Sequence, residues 1–268
     1  MNIRRSGQCK KRSGFTLVEL LTVIAVLAIL AALLVPAISA GRGRAMTAVC
    51  LNNQRELVRC WHIYIADFAD RLPSNGYEYV DGAYRSQTNS WIGSSSAPND
   101  TSSKPIEAGL FYRLNYNTSL GTYHCPADRS RVTGKPNLLR TRSYSMSGSF
   151  GGNTNPVQTV FQRLSEAAAP TKLFVLLDEG QDSIDDGHFR TWPKPDDRWI
   201  NMPTDRHGKA GTFSFADGHV EPWHWRWPKN FRVKQGDWKR AENLSDLADL
   251  RRLQEAIPEP PLDWQPLQ

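Results

Sequence analysis

The chain has 268 residues, with 33 lysines and arginines against 27 aspartates and glutamates. Its length allows one good-sized domain with appendages, or two small domains. Five of the basic residues lie in the first 14 positions without an acidic residue among them, and 33 minus these five leaves 28 basic against 27 acidic residues. The remaining charges are interspersed and form no basic stripe that could follow a phosphate backbone, so we expect no nucleic-acid partner.

Apolar residues are concentrated near the N-terminus, where residues 20–41 form a run of 22 uncharged positions. As a helix this run is about 33 Å long, close to the thickness of a bilayer core of about 30 Å. A core helix of a soluble protein would have a polar face, and this run has none. It therefore predicts a single membrane-spanning helix. Because basic residues ahead of such a helix stay in the cytoplasm, the long C-terminal part of the chain should lie outside the cytoplasm.

The order of the N-terminal signals differs from that of a secretory signal peptide, whose small-residue cut site follows the apolar stretch. Here the small residue, Gly14, precedes it, in the run Arg12-Ser13-Gly14-Phe15-Thr16-Leu17-Val18-Glu19-Leu20. This run resembles the prepilin cleavage site of type IV pilins and type II secretion pseudopilins. The resemblance implies that a prepilin peptidase cuts between Gly14 and Phe15 and methylates the new amine of Phe15.

Glu19, just before the uncharged run, and Pro36, within it, have chemical properties that are unusual in a membrane helix. A carboxylate such as Glu19 costs several kcal/mol in a bilayer unless it is paired or displaced to the interface. The resemblance implies that Glu19 meets the N-terminal amine of a neighbouring subunit during assembly; the alternative is an interfacial glutamate that reaches the lipid headgroups. Pro36 removes one backbone hydrogen bond and loosens the helix, as in pilins or as in any proline-containing membrane helix.

Helical periodicity continues beyond the apolar run, so we predict one helix from about Phe15 to about Asp70. Together with the resemblance, this predicts a pilin-like α+β fold in which the long N-terminal helix packs on a small antiparallel sheet. The expected organisation has five parts: a cleaved basic leader (1–14), the transmembrane half of the helix (15–41), its soluble half (42–72), an extracytoplasmic α+β domain (73–257) and a Pro-rich tail (258–268).

A second motif lies near the C-terminus, where His207 is followed by nine residues and then Asp217-Gly218. This spacing resembles the signature of the prepilin-associated His–nine residues–Asp-Gly domain, and residues 50–57 and 122–128 resemble the same family. Strand patterns flank Asp217-Gly218, and Asp-Gly is favoured in a type I′ turn because both central residues need positive φ. We therefore interpret this dipeptide as a hairpin tip, and His207 as a structural hydrogen-bonding residue.

The cysteines allow one disulfide in an oxidising compartment. Cys50 and Cys60 lie on one predicted helix, about 15 Å apart, which is too far for a disulfide. Cys125 could pair with either of them, and we favour Cys50–Cys125. The alternative is that all three cysteines are reduced and buried.

No cofactor is required by the sequence, but one acidic loop suggests a metal. Five carboxylates lie close together in a glycine-bearing segment, and hard oxygen ligands suit a structural calcium ion: Asp178, Glu179, Asp182, Asp185 and Asp186. The alternative is a solvated acidic loop. Zinc is not expected, because Cys125 stands alone and His219 and His224 lack the spacing of a helical zinc pair.

Nor does the sequence predict an enzyme. Ser214, His207 and Asp217 could be drawn as a catalytic triad, but the Gly-x-Ser-x-Gly turn that exposes such a serine is missing. We expect a non-enzymatic structural subunit, a pseudopilin or minor pilin of a type II secretion or type IV pilus-like assembly. Its partners would be prepilin peptidase, other pilin-like subunits and the inner membrane, with the N-terminus cytoplasmic and the C-terminal domain periplasmic or on the cell surface.

The alternative function is a pilin-anchored, cell-surface carbohydrate-binding module. Trp223, Trp225 and Trp227 alternate along one predicted strand and so share one face, where exposed indole rings could stack on sugars. The competing interpretation, which we favour, buries these tryptophans under a C-terminal helix with a leucine stripe: Leu244, Leu247, Leu250 and Leu253.

Overall fold

A computed structural model of the chain describes residues 16–153, 159–229 and 238–260. The chain divides into two compact units, residues 1–42 and 43–268. Residues 1–14 of the predicted leader, the predicted cleavage site at Gly14 and Phe15, and residues 261–268 of the predicted tail lie outside the described residues.

The first element is a single helix of 51 residues, α1 (Leu17–Asp67). By length and composition it could cross a membrane, and none of its most apolar 18-residue window is buried. The helix continues through Pro36 and ends where Ala69 and Asp70 adopt left-handed φ values of 51° and 70°. Its bounds agree with the predicted helix to within about three residues.

The second unit contains the other helices and all the described strands. The helices are α2 (Lys104–Ala108), α3 (Leu110–Arg113) and α4 (Leu244–Gln254). The strands are β1 (Tyr77–Val80), β2 (Ala83–Ser86), β3 (Arg131–Val132), β4 (Lys135–Leu139), β5 (Tyr144–Ser147), β6 (Phe174–Asp178), β7 (His188–Phe189), β8 (Arg198–Trp199), β9 (Ala210–Phe215), β10 (Val220–His224) and β11 (Lys239–Arg240).

Five of these strands form the main sheet, in the order β10-β9-β6-β5-β7. Neighbours are antiparallel except for the edge pair β5–β7, which is parallel. The remaining strands form three two-stranded ribbons, β1–β2, β3–β4 and β8–β11. A long N-terminal helix followed by small, mainly antiparallel sheets is the predicted α+β arrangement, and it is consistent with a pilin-like fold.

Within the second unit the main sheet contributes to two apolar clusters. Trp61 of α1 and Val175 of β6 belong to one cluster, whereas Leu250 of α4 and Phe213 of β9 belong to the other. Strand β6 supplies residues to both clusters, and all five of its residues are buried. A strand covered on both faces needs apolar residues at every position, which explains its continuous apolar sequence.

The predicted hairpin of β9 and β10 is present, but its turn is of another kind. Val220 pairs with Ser214, and Phe215 N donates to His219 O at 3.0 Å, which leaves residues 216–218 as the loop. Within this loop only Gly218 has a positive φ, of 92°. A type I′ turn needs two such residues, so the prediction is corrected to a three-residue loop that ends on a left-handed glycine.

Candidate functional site

At the start of α1, the side chain of Glu19 is bonded to the residue that precedes the helix. Thr16 donates to Glu19 Oε2 from its backbone N and from its Oγ1, each at 2.8 Å. The backbone N of Glu19 donates back to Thr16 Oγ1 at 3.2 Å. This reciprocal pattern is a capping box, which satisfies free N–H groups at the helix start. The carboxylate that we expected to meet a neighbouring amine therefore has partners in its own chain.

The N-terminal part of α1 exposes aliphatic side chains on every side. Leu17 is 79% exposed, Leu33 is 69% exposed and Ile38 is 66% exposed, although these residues point in different directions around the helix axis. An apolar surface this large is a mark of contact with a membrane or with other proteins. This segment fits a single-pass membrane anchor.

In the second unit, four buried side chains from distant parts of the sequence converge. Cys50 lies on α1, Asp178 ends β6, His207 precedes β9, and Cys125 follows a short 3₁₀ turn. Each offers one ligand-type atom, and these four atoms all lie within 4.8 Å of one another. In the described part of the chain, no other group of three or more His, Cys, Asp or Glu side chains converges in this way.

His207 is the centre of this cluster. Its Nε2 lies 3.3 Å from Cys125 Sγ and 3.1 Å from Asp178 Oδ2. The other ring nitrogen, Nδ1, lies 3.2 Å from Thr47 Oγ1. Because the Thr47 hydroxyl donates to the carbonyl of Gly43 at 3.0 Å, its oxygen accepts the proton of Nδ1. The imidazole is thereby held with Nε2 facing the sulfur and the carboxylate.

Neighbouring groups shift the pKa values of His207 and Cys125. Burial acts to lower the pKa of His207, but hydrogen bonds with Asp178 and Cys125 outweigh it and raise this pKa to about 9. The hydrogen bond with Cys50, followed by burial, raises the pKa of the Cys125 thiol. Arg206 Nη1 lies 3.5 Å from Asp178 Oδ1 and thus adds a second cation beside that carboxylate. These contacts favour the protonated forms of the His207 imidazole and of the Cys125 thiol.

The geometry is not that of a Cys-His-Asp catalytic triad. In a triad the nucleophile and the orienting carboxylate contact opposite nitrogens of the imidazole. Here Cys125 and Asp178 both contact Nε2 of His207, and the three residues are buried. Such convergence on one point is typical of ligands around a shared atom.

The serine triad considered from the sequence is not assembled either. Ser214 is buried, and its hydroxyl donates to the carbonyl of Leu176 at 3.5 Å. Asp217 lies beyond the other end of β9 from His207, and it accepts a hydrogen bond from His219 Nδ1 at 2.6 Å.

The two ends of the His–nine residues–Asp-Gly motif contact α1 at separate places. His207 contacts Thr47, whereas the carbonyl of Ala216 lies 3.0 Å from Nε2 of His62. Gly218 packs against the same imidazole, since a Cβ added there would lie 3.3 Å from His62 Cε1. These contacts are about 22 Å apart along the helix. The motif residues thus have structural contacts, and His207 also belongs to the buried cluster.

All three cysteines in the described residues are free, so the Cys50–Cys125 disulfide that we favoured is not formed in the structure. The structure nevertheless brings Cys50 and Cys125 together, while Cys60 lies in an apolar part of the core. The sulfurs face polar groups: Tyr144 Oη donates to Cys50 Sγ at 3.2 Å. The expectation that Cys125 stands alone is wrong. Three ligand-type side chains from distant positions in the sequence, Cys50, Asp178 and His207, lie close to it in space.

The five acidic calcium candidates are divided among different environments. Asp178 faces the cysteines, and Asp182 is exposed. Burial raises the pKa of Glu179 to about 8, while burial and then the nearby Asp185 raise the pKa of Asp186. Of these five, only Asp178 belongs to the converging group. The calcium hypothesis stays a prediction.

The tryptophans that alternate along the β10 segment are mainly covered. Trp223 and Trp225 are buried in the same cluster as Leu250 of α4. Trp227 is half-buried, and Leu244, the first residue of the leucine stripe, is exposed. The burial interpretation is confirmed for Trp223 and Trp225, so these two indoles do not form a sugar-stacking face.

Comparison with known families identifies the N-terminal segment. Residues 9–35, about a tenth of the chain, match the family described as the prokaryotic N-terminal methylation motif. The match includes Gly14, Phe15, Glu19 and most of the exposed apolar part of α1. No curated protein and no solved structure matches the chain. The motif supports a type IV pilin- or pseudopilin-like subunit that prepilin peptidase processes and that assembles with other pilin subunits.

Proposed function

We propose that the chain is a prepilin-type precursor, cut between Gly14 and Phe15 and methylated on Phe15. In this proposal the mature chain is a non-enzymatic structural subunit, a pseudopilin or minor pilin of a type II secretion or type IV pilus-like assembly. One observation carries the proposal: the methylation motif at residues 9–35 lies at the head of a helix whose apolar side chains are exposed on every side.

Assembly follows from the chemistry of this helix. Its aliphatic surface packs against lipid or against like helices of other subunits. After cleavage, the amine of Phe15 lies next to Thr16, the residue that caps Glu19. A buried carboxylate is stabilised by an opposite charge, and the amine of an adjoining subunit supplies it. Pro36 lacks an N–H and leaves one carbonyl free, so the helix can bend there as subunits pack.

The basic leader sets the orientation in the membrane. Five cationic residues before the helix hold the N-terminus in the cytoplasm. The second unit, residues 43–268, then lies in the periplasm or at the cell surface.

Processing is tested by expressing the full chain with and without a prepilin peptidase and comparing the size of the chain in the two cases. Gly14→Ala should retain the leader. Gly41→Ala is the matched control, because a Cβ at Gly41 meets no atom within 4 Å; it should be cut like the wild type. Glu19→Leu should be cut but should lose cross-links to pilin-like partners through the helix. Cleavage of Gly14→Ala at the wild-type rate contradicts the proposal.

A further inference from the structure

The four side chains that converge at His207 have the spacing of a tetrahedral ligand set. Zinc bonds of about 2.3 Å to sulfur and about 2.1 Å to nitrogen or oxygen place such ligand atoms about 3.4–3.8 Å apart, with the two sulfurs farthest from each other. The sulfur–nitrogen distance from Cys125 to His207 is 3.3 Å, and the sulfur–oxygen distance from Cys50 to Asp178 is 3.6 Å. The nitrogen–oxygen distance from His207 to Asp178 is 3.1 Å. All four ligand atoms lie within 4.8 Å of one another, so shortening the longer of these distances brings them to bonding distance from one central atom.

The donor types and their burial also favour zinc. Cysteine sulfur, histidine nitrogen and carboxylate oxygen are the three ligand types that zinc uses in proteins. Cys50, Cys125 and Asp178 are 0% exposed and His207 is 7% exposed. With four protein ligands and no access for water, the coordination sphere is closed, which is the property of a structural rather than a catalytic site.

The sulfur of Cys50 contacts two hydroxyl groups outside the cluster. Tyr144 Oη donates to Cys50 Sγ at 3.2 Å. Thr212 Oγ1 lies 3.1 Å from the same sulfur and is itself held by a hydrogen bond that it accepts from Gln54 Nε2 at 2.9 Å. Outer contacts of this kind orient a ligand side chain toward the atom that it binds.

His207 and Asp178 also contact residues outside the cluster that orient their side chains. Thr47 holds the ring of His207 from the Nδ1 side, which leaves Nε2 for a metal. Arg206 lies beside Asp178 Oδ1, so that Oδ2 faces the cluster. Metal-binding histidines and carboxylates are commonly oriented by such outer contacts.

We infer that Cys50, Cys125, Asp178 and His207 bind one zinc ion in a closed, structural site. The ion takes the place of the protons on the two sulfurs and on His207 Nε2, and its binding therefore releases protons. It links α1, the segment before β3, the end of β6 and the start of the His–nine residues–Asp-Gly motif. The site is independent of the proposed assembly function.

The direct experiment measures metal content in full-length protein purified in detergent from cells grown with zinc. The wild type should carry about one zinc per chain by mass spectrometry of the elements. Cys50→Ser and Cys125→Ser should each lose most of this zinc, because each removes one of the four ligands. Cys60→Ser is the matched control, since Cys60 is equally buried but lies outside the cluster, and it should keep the wild-type content. Asp178→Cys, which replaces one zinc ligand by another, should also keep zinc.

A second measurement uses the wild type alone, so that it does not depend on the folding of variants. After removal of metal by a chelator under reducing conditions, Co²⁺ should give the visible absorption bands of tetrahedral thiolate-bound cobalt, and added zinc should abolish them. Zinc, but not calcium, should restore the Tm lost to the chelator. The inference is overturned if the wild type holds no zinc and gives no cobalt bands, if Cys50→Ser keeps full zinc content, or if peptide mapping finds a Cys50–Cys125 disulfide.

Discussion

Gln54 of α1 donates two hydrogen bonds from its Nε2 to Thr212 of β9, one to the carbonyl at 2.8 Å and one to Oγ1 at 2.9 Å. Both residues are fully buried. One helical turn earlier, the sulfur of Cys50 contacts the same hydroxyl at 3.1 Å. Two turns later, His62 contacts the carbonyl of Ala216. Strand β9 and the C-terminal part of α1 therefore run side by side in the same direction, joined by polar side chains of the helix.

Removing the amide that joins these elements should destabilise the protein. Gln54→Ala deprives the buried oxygens of Thr212 of their donor, and we expect the free energy of unfolding to fall by about 1–3 kcal/mol. Urea unfolding of the full chain in detergent, followed by tryptophan fluorescence, measures this loss. Asn52→Ala, at an exposed position of the same helix, is the control and should change the value by less than about 0.5 kcal/mol. Equal effects of the two substitutions would refute the role of Gln54.

The glycine at the hairpin tip should be difficult to replace. Gly218 has φ of 92°, a conformation that costs an L-residue about 1–2 kcal/mol, and an added Cβ would press on His62 at 3.3 Å. Gly218→Ala should lower the free energy of unfolding by about that amount. Gly121→Ala, where a Cβ meets no atom within 4 Å, should leave it unchanged. A neutral Gly218→Ala would show that the tip does not need a left-handed residue.

The helix and the hairpin strands could be predicted because their signals are local. An uncharged apolar run defines the start of α1, and a three-to-four-residue period marks its continuation as far as Asp67. Strand β6 has a continuous apolar sequence, but that sequence does not reveal that α1 and α4 each contribute to the apolar clusters that cover it. The type I′ turn predicted at Asp217-Gly218 was wrong because an Asp-Gly dipeptide suits both a two-residue and a three-residue hairpin loop.

The buried cluster could not be predicted, because its members are distant in the chain. Cys50 and Asp178 are 128 positions apart, and Cys125 and His207 are 82 positions apart. No local spacing rule detects such a set, and only the pairing of β6 with β9 beside α1 brings it together. The disulfide hypothesis named the two cysteines that the structure brings together, Cys50 and Cys125, but they are free, and the hypothesis did not include the histidine and the carboxylate beside them.

Acid should destabilise the protein through His188. Burial lowers the pKa of His188 from 6.5 to about 4, while Nδ1 donates to the carbonyl of Asn75 and Arg190 adds a nearby positive charge. Since the folded-state pKa lies below the unfolded value, the stability is fully present above pH 6.5 and is lost as the pH falls toward 4. This loss amounts to about 3 kcal/mol.

The measurement compares the free energy of unfolding of the wild type and of His188→Gln at several pH values between 7 and 4. Glutamine keeps a donor for Asn75 but does not titrate, so the variant should lose less stability in this range. His224→Gln, which removes an exposed imidazole, is the control and should follow the wild type. Parallel curves for the wild type and His188→Gln would contradict the prediction.

A buried lysine should be essential for attaching α4. The side chain of Lys229 is 0% exposed, and its Nζ lies 2.8 Å from Asp246 Oδ1 and 2.8 Å from Asp249 Oδ2. Lys229→Met would leave two buried carboxylates without their cation, and we expect a loss of about 3–5 kcal/mol. Thermal unfolding monitored by circular dichroism measures it. Lys172→Met, at an exposed position, should have little effect; a similarly small effect of Lys229→Met would mean that the carboxylates are satisfied without the lysine.

The most direct test of the proposed function is mass spectrometry of the N-terminus of the protein isolated from membranes of its own cells. The proposal predicts a chain that begins with N-methylated Phe15 and lacks residues 1–14. A native chain that begins at Met1, or one cut after the apolar helix like a secreted protein, would contradict it.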